Sequence, residues 1–457
     1  MRFTKLVQDY PITLTVGVNG ILLNFAAAFT QPTFVTFSLL FTGAVLVRGR
    51  HTVTRMIVSA GIRASHHARF HRFFSKARWE MDHLWRGLVK LIDRSLIPEG
   101  AVVRVGVDDT AQRKTGAKIY GVGMVHDNRP AARKGWDLSW GLTWVVTTIM
   151  VELPIWRKHV FALPVCARLY RKKKVCRRGK CRFRTKSMLA LEMIEKLVWW
   201  LPGRKFLLHV DGGFATGSLL RELPANVEVI GRLRRDAALY KLPPKRCGKR
   251  GRPRRRGRRM VRPGEYAARR FGEWHVIELG NAKQYEVKSW VALWWRVLRE
   301  RPVRVVAVRP VRGGRIGSGC RAQFLFTTDL SLSSSDVVEA YSNRWSIECM
   351  FHEAKERMGF EDPQCWTERA VERTAAFLLW VMGVVEYWFL AQRDGQLVGW
   401  RPRWRGGNGG DVPPSFSDML AAMRREILSG TFLHRSTSKD ELHKNIMVLI
   451  ESAAFAA

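Results

Sequence analysis

Residues 341–355 read YSNRWSIECMFHEAK and place Tyr341, Arg344, Glu348 and Lys355 at spacings of three, four and seven. On a helix turning about 100° per residue, Arg344, Glu348 and Lys355 fall near 300°, 340° and 320° from Tyr341, on one narrow stripe. Ile347, Met350, Phe351 and Ala354 lie beside it at roughly 180–280° and can bury the helix against a core. One carboxylate is thus flanked by a phenol, a guanidinium and an amine, three groups able to reach phosphate oxygens. The same spacing also describes a solvated helix face with an i, i+4 ion pair from Arg344 to Glu348. The rest of the chain has to decide between the two.

Two more carboxylates stand at the ends of β-rich runs, AVVRVGVDD and KFLLHVDGG. Val103, Val105 and Val107 share one face of the first run and Asp108 lies on the other; Phe206, Leu208 and Val210 share one face of the second, with Asp211 opposite. Asp109 adjoins Asp108 and can take its place; the alternation mildly favours Asp108. A strand-end aspartate before glycine is also a common turn signal. Two strand-end aspartates and a helix glutamate can converge on a pair of divalent cations, since hard cations such as Mg²⁺ take oxygen ligands and keep positions open for a phosphate. Two such ions activate a water or a 3′-hydroxyl and stabilise the leaving oxygen of a phosphodiester.

The elements that must position these residues follow from the pattern along the chain. Residues 1–95 look helical and form a candidate DNA-binding domain. Within them, TVTRMIVSAGIRASHHARFHRFFSKARW predicts a helix over Val53–Ala60, a turn at Gly61 and a second helix capped near Ser65 that carries Arg69, Arg72, Lys76 and Arg78. That is either a helix-turn-helix or a plain hairpin with a basic face. Over 96–235, three β-rich runs, an apolar-periodic helix (SMLALEMIEKLVWWL) and further strands give the opening order of a ribonuclease H-like α/β core. Residues 236–320 read as an inserted β-rich domain with a basic arm. The second part of the core, 321–400, holds the glutamate helix and a long apolar helix over 366–392. Residues 401–457 form a C-terminal helical region.

Composition narrows the partner. The 457 residues carry 78 Lys and Arg against 39 Asp and Glu, a net charge of +39. That excess calls for a polyanion, most readily nucleic acid. Eleven of the eighteen residues Lys245–Arg262 are basic, and ten of the sixteen residues Arg171–Lys186. The first run is read as an exposed, flexible arm. Seven scattered cysteines fit a reducing cytoplasm better than a disulfide framework. Cys166, Cys176 and Cys181 are a weak candidate for a structural metal. No charged residue lies between Asp9 and Arg48, but Pro11, Gly17, Asn19, Gly20, Asn24, Gln31 and Pro32 interrupt the stretch, so buried helices are expected there and no membrane span.

These features together resemble the DDE transposases of bacterial insertion sequences, most closely the IS-four-like branch with the Tyr–two–Arg–three–Glu–six–Lys signature. YSNRWSIECMFHEAK fits that signature without a gap, and VDDT and HVDGG fit the two aspartate motifs. The resemblance covers about residues 100–390. It implies catalytic, metal-binding roles for Asp108, Asp211 and Glu348, DNA contacts from Tyr341, Arg344 and Lys355, and two Mg²⁺ ions with Mn²⁺ as substitute. It implies cleavage at element ends and strand transfer into target DNA, by a homodimer on paired terminal inverted repeats, with excision through a DNA hairpin in many members. A structure-selective nuclease of the same fold, or a non-catalytic DNA-binding relic, are the alternatives. Trp274, Trp290, Trp294 and Trp295 either build the core of the inserted domain or stack on a displaced base.

Overall fold

The computed structural model describes residues 16–62, 67–126, 138–156, 159–179, 181–244, 253–268, 273–279, 283–312, 315–316, 322–392 and 412–433. The strands are β1 (Val103–Arg113), β2 (Gly123–His126), β3 (Leu138–Glu152), β4 (Val160–Tyr170), β5 (Phe206–Val210), β6 (Val227–Leu233), β7 (His275–Leu279), β8 (Lys283–Leu293), β9 (Pro302–Arg312), β10 (Arg315–Ile316) and β11 (Gln323–Thr327). Among the described residues they form one sheet in the order β2–β3–β1–β5–β6–β11–β9–β8–β7, with β4 pairing β3 and β10 pairing β9. β1, β5 and β6 are parallel, and the remaining pairings are antiparallel. All five residues of β5 are buried, which suits its apolar sequence and its place between two parallel neighbours. Strands β7–β10 from the segment 236–320 do not stand apart: β9 joins β11, and β11 joins β6, so they extend the far side of the core sheet.

The helices cover this sheet. Helix Lys186–Trp200, capped by the Thr185 hydroxyl accepting from Met188 N, packs on β3 and β4. The glutamate helix, Trp345–Glu356, packs on β4 and β1. The long helix Glu368–Ala391 lies on β4 and on helix Met81–Leu96. Among the described residues it is the one helix long and apolar enough to cross a membrane, and 94% of its apolar window is buried inside the protein.

The N-terminal helices share that core. Trp380 of the long helix is ringed by Phe25, Phe37 and Phe41, with the Phe25 ring edge-on at 4.8 Å. The described part of the uncharged stretch contains helix Gln31–Leu46, buried from Phe34 to Val45. Its C-terminal end is held by the C-terminal helix Phe416–Leu433, whose Arg424 donates to the carbonyls of Val45 and Val47. Helix Val53–Ser59, a left-handed turn at Gly61 (φ 68°) and helix Ala68–Ser75 follow the expected hairpin, while Ser65 lies outside the described residues. The second helix buries Phe70, Phe73 and Phe74 and exposes Arg72.

Two expectations change. The stripe from Tyr341 to Lys355 is two helices, Ser334–Ser342 and Trp345–Glu356. Between them the backbone stays near-helical but tightens, with Arg344 N bonded to Tyr341 O and Ile347 N to Arg344 O. The second change concerns the basic arm. Within 253–262 the chain pairs with residues 239–241, Arg255 pairs with Glu300, and Arg256 lies over Tyr240 and Trp295. Aromatic faces give the guanidinium a partner that a run of basic residues alone lacks. Residues 245–252 lie outside the described residues.

The glutamate helix reaches β1 because Gly106 has no side chain. A Cβ there would lie 2.3 Å from Ile347 Cδ1 and 2.8 Å from Thr148 Oγ1. Gly106→Ala is therefore expected to destabilise the protein by about 1–3 kcal/mol through overpacking, read as a lower urea midpoint. The double variant with Ile347→Ala should recover part of that loss. An unchanged midpoint in Gly106→Ala would show that the helix is not seated by this contact.

Candidate active site

Val107 of β1 is opposite Val210 of β5 in a parallel register, so Asp108 and Asp211 follow on neighbouring strands. Alternation sends Asp108 to the Gly106 face, where the glutamate helix sits, and Asp109 to the other. Asp109 accepts from Lys186 Nζ at 2.7 Å on that other face. Of the two adjacent aspartates, Asp108 is the one that meets the glutamate helix.

The meeting point is Arg344. Its Nη1 donates to Asp108 Oδ2 at 2.7 Å and its Nη2 donates to Glu348 Oε1 at 2.6 Å. Two carboxylates from distant parts of the chain are thus tied through one guanidinium fork. The Arg344 and Asp108 side chains are only 14% and 17% exposed. Burial pushes the Asp108 carboxyl up to about 6; Arg344 opposes the shift and the like charge of Asp211 adds to it. Burial works against the charge of Arg344, but Asp108, Tyr341 and Glu348 outweigh it and raise its pKa. Asp211 Oδ1 accepts from the backbone N–H groups of Gly213 and Phe214, both at 2.9 Å, which fixes its orientation.

Tyr341 stands in the last turn of the helix that opens with a capping box between Ser333 and Asp336. The Arg344 guanidinium lies 5.9 Å from its ring centroid. Burial raises the Tyr341 phenol, against the pull of Arg344 and Arg232. Lys355 stands in the last turn of the glutamate helix, half-buried.

Asp211, Tyr341 and Arg344 line a cleft of about 810 Å³ together with Arg232, Arg234 and Arg235. Sequence reasoning missed those three arginines. The signal was GRLRRD at the end of the strand now seen as β6, which runs parallel to β5 and so ends on the same side as the aspartates. None of Trp274, Trp290, Trp294 and Trp295 lines this cleft. Trp294 is buried against Phe326, Trp290 packs on Tyr266, and Trp274 and Trp295 lie under Arg309 and Arg256. Trp294 belongs to the core and Trp274 and Trp290 pack against it, while Trp295 is half-buried beneath Arg256.

Asp108, Asp211 and Glu348 fit a hard divalent cation by donor chemistry, three carboxylates at one end of a sheet. Burial first, and then the like charge of Asp211, raises Asp108, and a cation at this place would relieve both. Among the described residues no three His, Cys, Asp or Glu side chains are already gathered closely enough to hold a metal ion, Cys166, Cys176 and Cys181 included. At the carboxylates the reason is visible: the Arg344 guanidinium lies between Asp108 and Glu348.

The raised Asp108 makes a titration test. Since its folded pKa exceeds that of an ordinary aspartate, protonation favours the folded state as pH falls from about 6 toward 4, and ionisation above that range costs stability. Asp211→Asn should lower the Asp108 midpoint and Arg344→Gln should raise it, as read by carboxyl carbon NMR. Opposite movements would overturn this electrostatic account.

A family model described as DDE superfamily endonuclease matches residues 24–293, more than half of the 457-residue chain. The matched region includes Asp108 and Asp211 and ends before Glu348. No curated protein matches the chain. The family is one of nucleases and transposases that act on DNA, typically with divalent metals, in keeping with the net charge of +39. The chain belongs to the DDE superfamily endonucleases.

Proposed function

We propose that the protein is a transposase of the branch with the Tyr–two–Arg–three–Glu–six–Lys signature, which cuts DNA at the ends of a mobile element and joins those ends to target DNA. One observation carries the reading: Arg344 ties Asp108 of β1 to Glu348 of the glutamate helix, with Asp211 at the end of the adjoining strand. A plain solvated ion pair between Arg344 and Glu348 would have no need of Asp108. The order β4–β3–β1–β5–β6, antiparallel and then parallel, supports a ribonuclease H-like core beneath the site.

In this reading Asp108, Asp211 and Glu348 are the ligands of two Mg²⁺ ions, with Mn²⁺ as substitute. Bound there, such ions supply an activated water or 3′-hydroxyl and neutralise the leaving oxygen of a phosphodiester. Arg344 exchanges its two carboxylate partners for a DNA phosphate when the strand enters. That exchange leaves both carboxylates free for cations at the moment substrate arrives. Tyr341 donates one hydrogen bond to the same strand, and Lys355 contacts phosphate farther along the helix. Arg232, Arg234 and Arg235 hold the backbone where it leaves the cleft. The protein works as a homodimer on paired terminal inverted repeats, and excision passes through a hairpin.

The test is a strand-transfer assay on a duplex ending in the inverted repeats that flank the gene. Wild-type protein should join a pre-cut end to plasmid DNA with Mg²⁺. Glu348→Gln should bind the duplex normally and neither cut nor join it. Cutting without joining by the wild type would make the protein a nuclease; binding without either would make it a relic. Lys355→Ala and Arg232→Ala should each weaken binding and flatten its salt dependence by about one counterion. Equal loss of binding in Glu348→Gln and Lys355→Ala would overturn this division of roles.

A further inference from the structure

A second cavity lies on the other flank of the glutamate helix. It holds about 620 Å³, in the range of small-molecule sites. Its walls are the glutamate helix, the long helix Glu368–Ala391, the start of β4 and the start of the C-terminal helix. In a chain with 78 Lys and Arg, none is among the described residues that line it. Two carboxylates do line it, Glu353 and Glu386.

Glu386 is the unexplained group. It sits within the apolar run VMGVVEYWFL and is 6% exposed. Its Oε2 is buried at the cavity wall and has no hydrogen-bond partner. A buried acceptor left unpartnered costs free energy that a bound donor would recover. Glu353 has a distant cation, Arg357 Nε at 3.7 Å, outside the cavity lining. His159 is the other titratable group on the β4 side, and burial lowers its pKa. Cys349 is the remaining titratable group facing in from the glutamate helix.

Ser342, Asn343, Ser346 and Ser415 add polar groups at the rim of the lining, and Met350, Met382, Met419, Phe161, Trp345 and Phe416 give it a broad apolar and aromatic wall. A bare divalent cation would use only the carboxylates and the few polar side chains, and would leave the methionine and aromatic wall without a partner. An ammonium on an alkyl stem would find acceptors for its head and apolar surface for its methylenes. We propose that this cavity is a binding site for an alkylammonium, a diamine or longer polyamine, with one ammonium held between Glu353 and Glu386 and the stem lying along Met350, Met382 and Met419. The site is separate from the carboxylates that face DNA and does not depend on the transposase reading. Because Cys349 and Glu353 follow Glu348 on one helix, the occupant braces the helix that carries the candidate catalytic glutamate.

Binding has a proton signature. Burial and the facing Glu353 hold the Glu386 carboxyl protonated well above the ordinary carboxylate range. An entering ammonium favours the carboxylate, so the Glu386 proton passes to the buffer.

The test uses the full chain without DNA, titrated calorimetrically with 1,4-diaminobutane at constant ionic strength in two buffers of different ionisation enthalpy. The expected result is saturable binding with net proton release at a pH below the Glu386 midpoint, which a titration of the free protein locates. Glu386→Gln and Glu353→Gln should each weaken it at least tenfold, and proton release should vanish in Glu386→Gln. Glu348→Gln should bind the diamine like the wild type, which separates this site from the proposed active site. Glu353 lies on a helix surface, so its variant reports even if Glu386→Gln folds poorly. Unchanged affinity in the Glu353→Gln variant, or heat no greater than that of matched sodium chloride, would overturn the proposal.

Discussion

Two acidic side chains that approach each other inside a protein need a positive charge between them or a proton on one of them. Here that charge is Arg344, and much of the architecture arranges for it to be there. Asp108 is brought by β1, Glu348 by a helix that starts directly after the arginine, and Gly106 opens the space in which that helix can lie against the strand. The tightened turn at Asn343–Arg344 is part of the same arrangement. It aims the guanidinium back across the helix start toward β1 while Tyr341 stays on the preceding helix. A lysine could neutralise one carboxylate but lacks the fork that satisfies two at once.

Much of this was legible in the sequence because alternation and helical period are local. Val103, Val105 and Val107 fixed which face Asp108 would leave, and the apolar flank of Ile347, Met350, Phe351 and Ala354 is the flank that is buried. What was not legible depends on contacts between distant segments. Asn343 and Arg344 both tolerate helix, so nothing local marks the break between the two helices. The union of the 236–320 strands with the core rests on β11 pairing with β6, such as Phe324 with Leu233, and no pattern within either strand announces it. Arg232, Arg234 and Arg235 vanished into the general excess of basic residues; the parallel register of β5 and β6 singles them out.

The basic arm teaches a related point. A run so rich in arginine cannot bury apolar surface of its own, which argued for flexibility. Arginine is also the cation that stacks on aromatic rings, and Tyr240 and Trp295 supply them for Arg256. Composition described what the segment lacked, while the structure shows what its neighbours lend it.

The shared core of the N-terminal helices and the long helix Glu368–Ala391 bears on the order in which the chain is made. Phe25 and Phe37 wait for Trp380, and Asp108 waits for Arg344. A ribosome that has released the first three hundred residues presents both aspartates and both strongly basic runs, but no glutamate helix and no Trp380 for Phe25 and Phe37 to pack on. Such a nascent chain can cling to nucleic acid through its charge but cannot complete the proposed active site. Segments so far apart in sequence also pair slowly. Competence arrives late and all at once, when the last strand, the glutamate helix and the long helix close onto surfaces laid down at the beginning of synthesis.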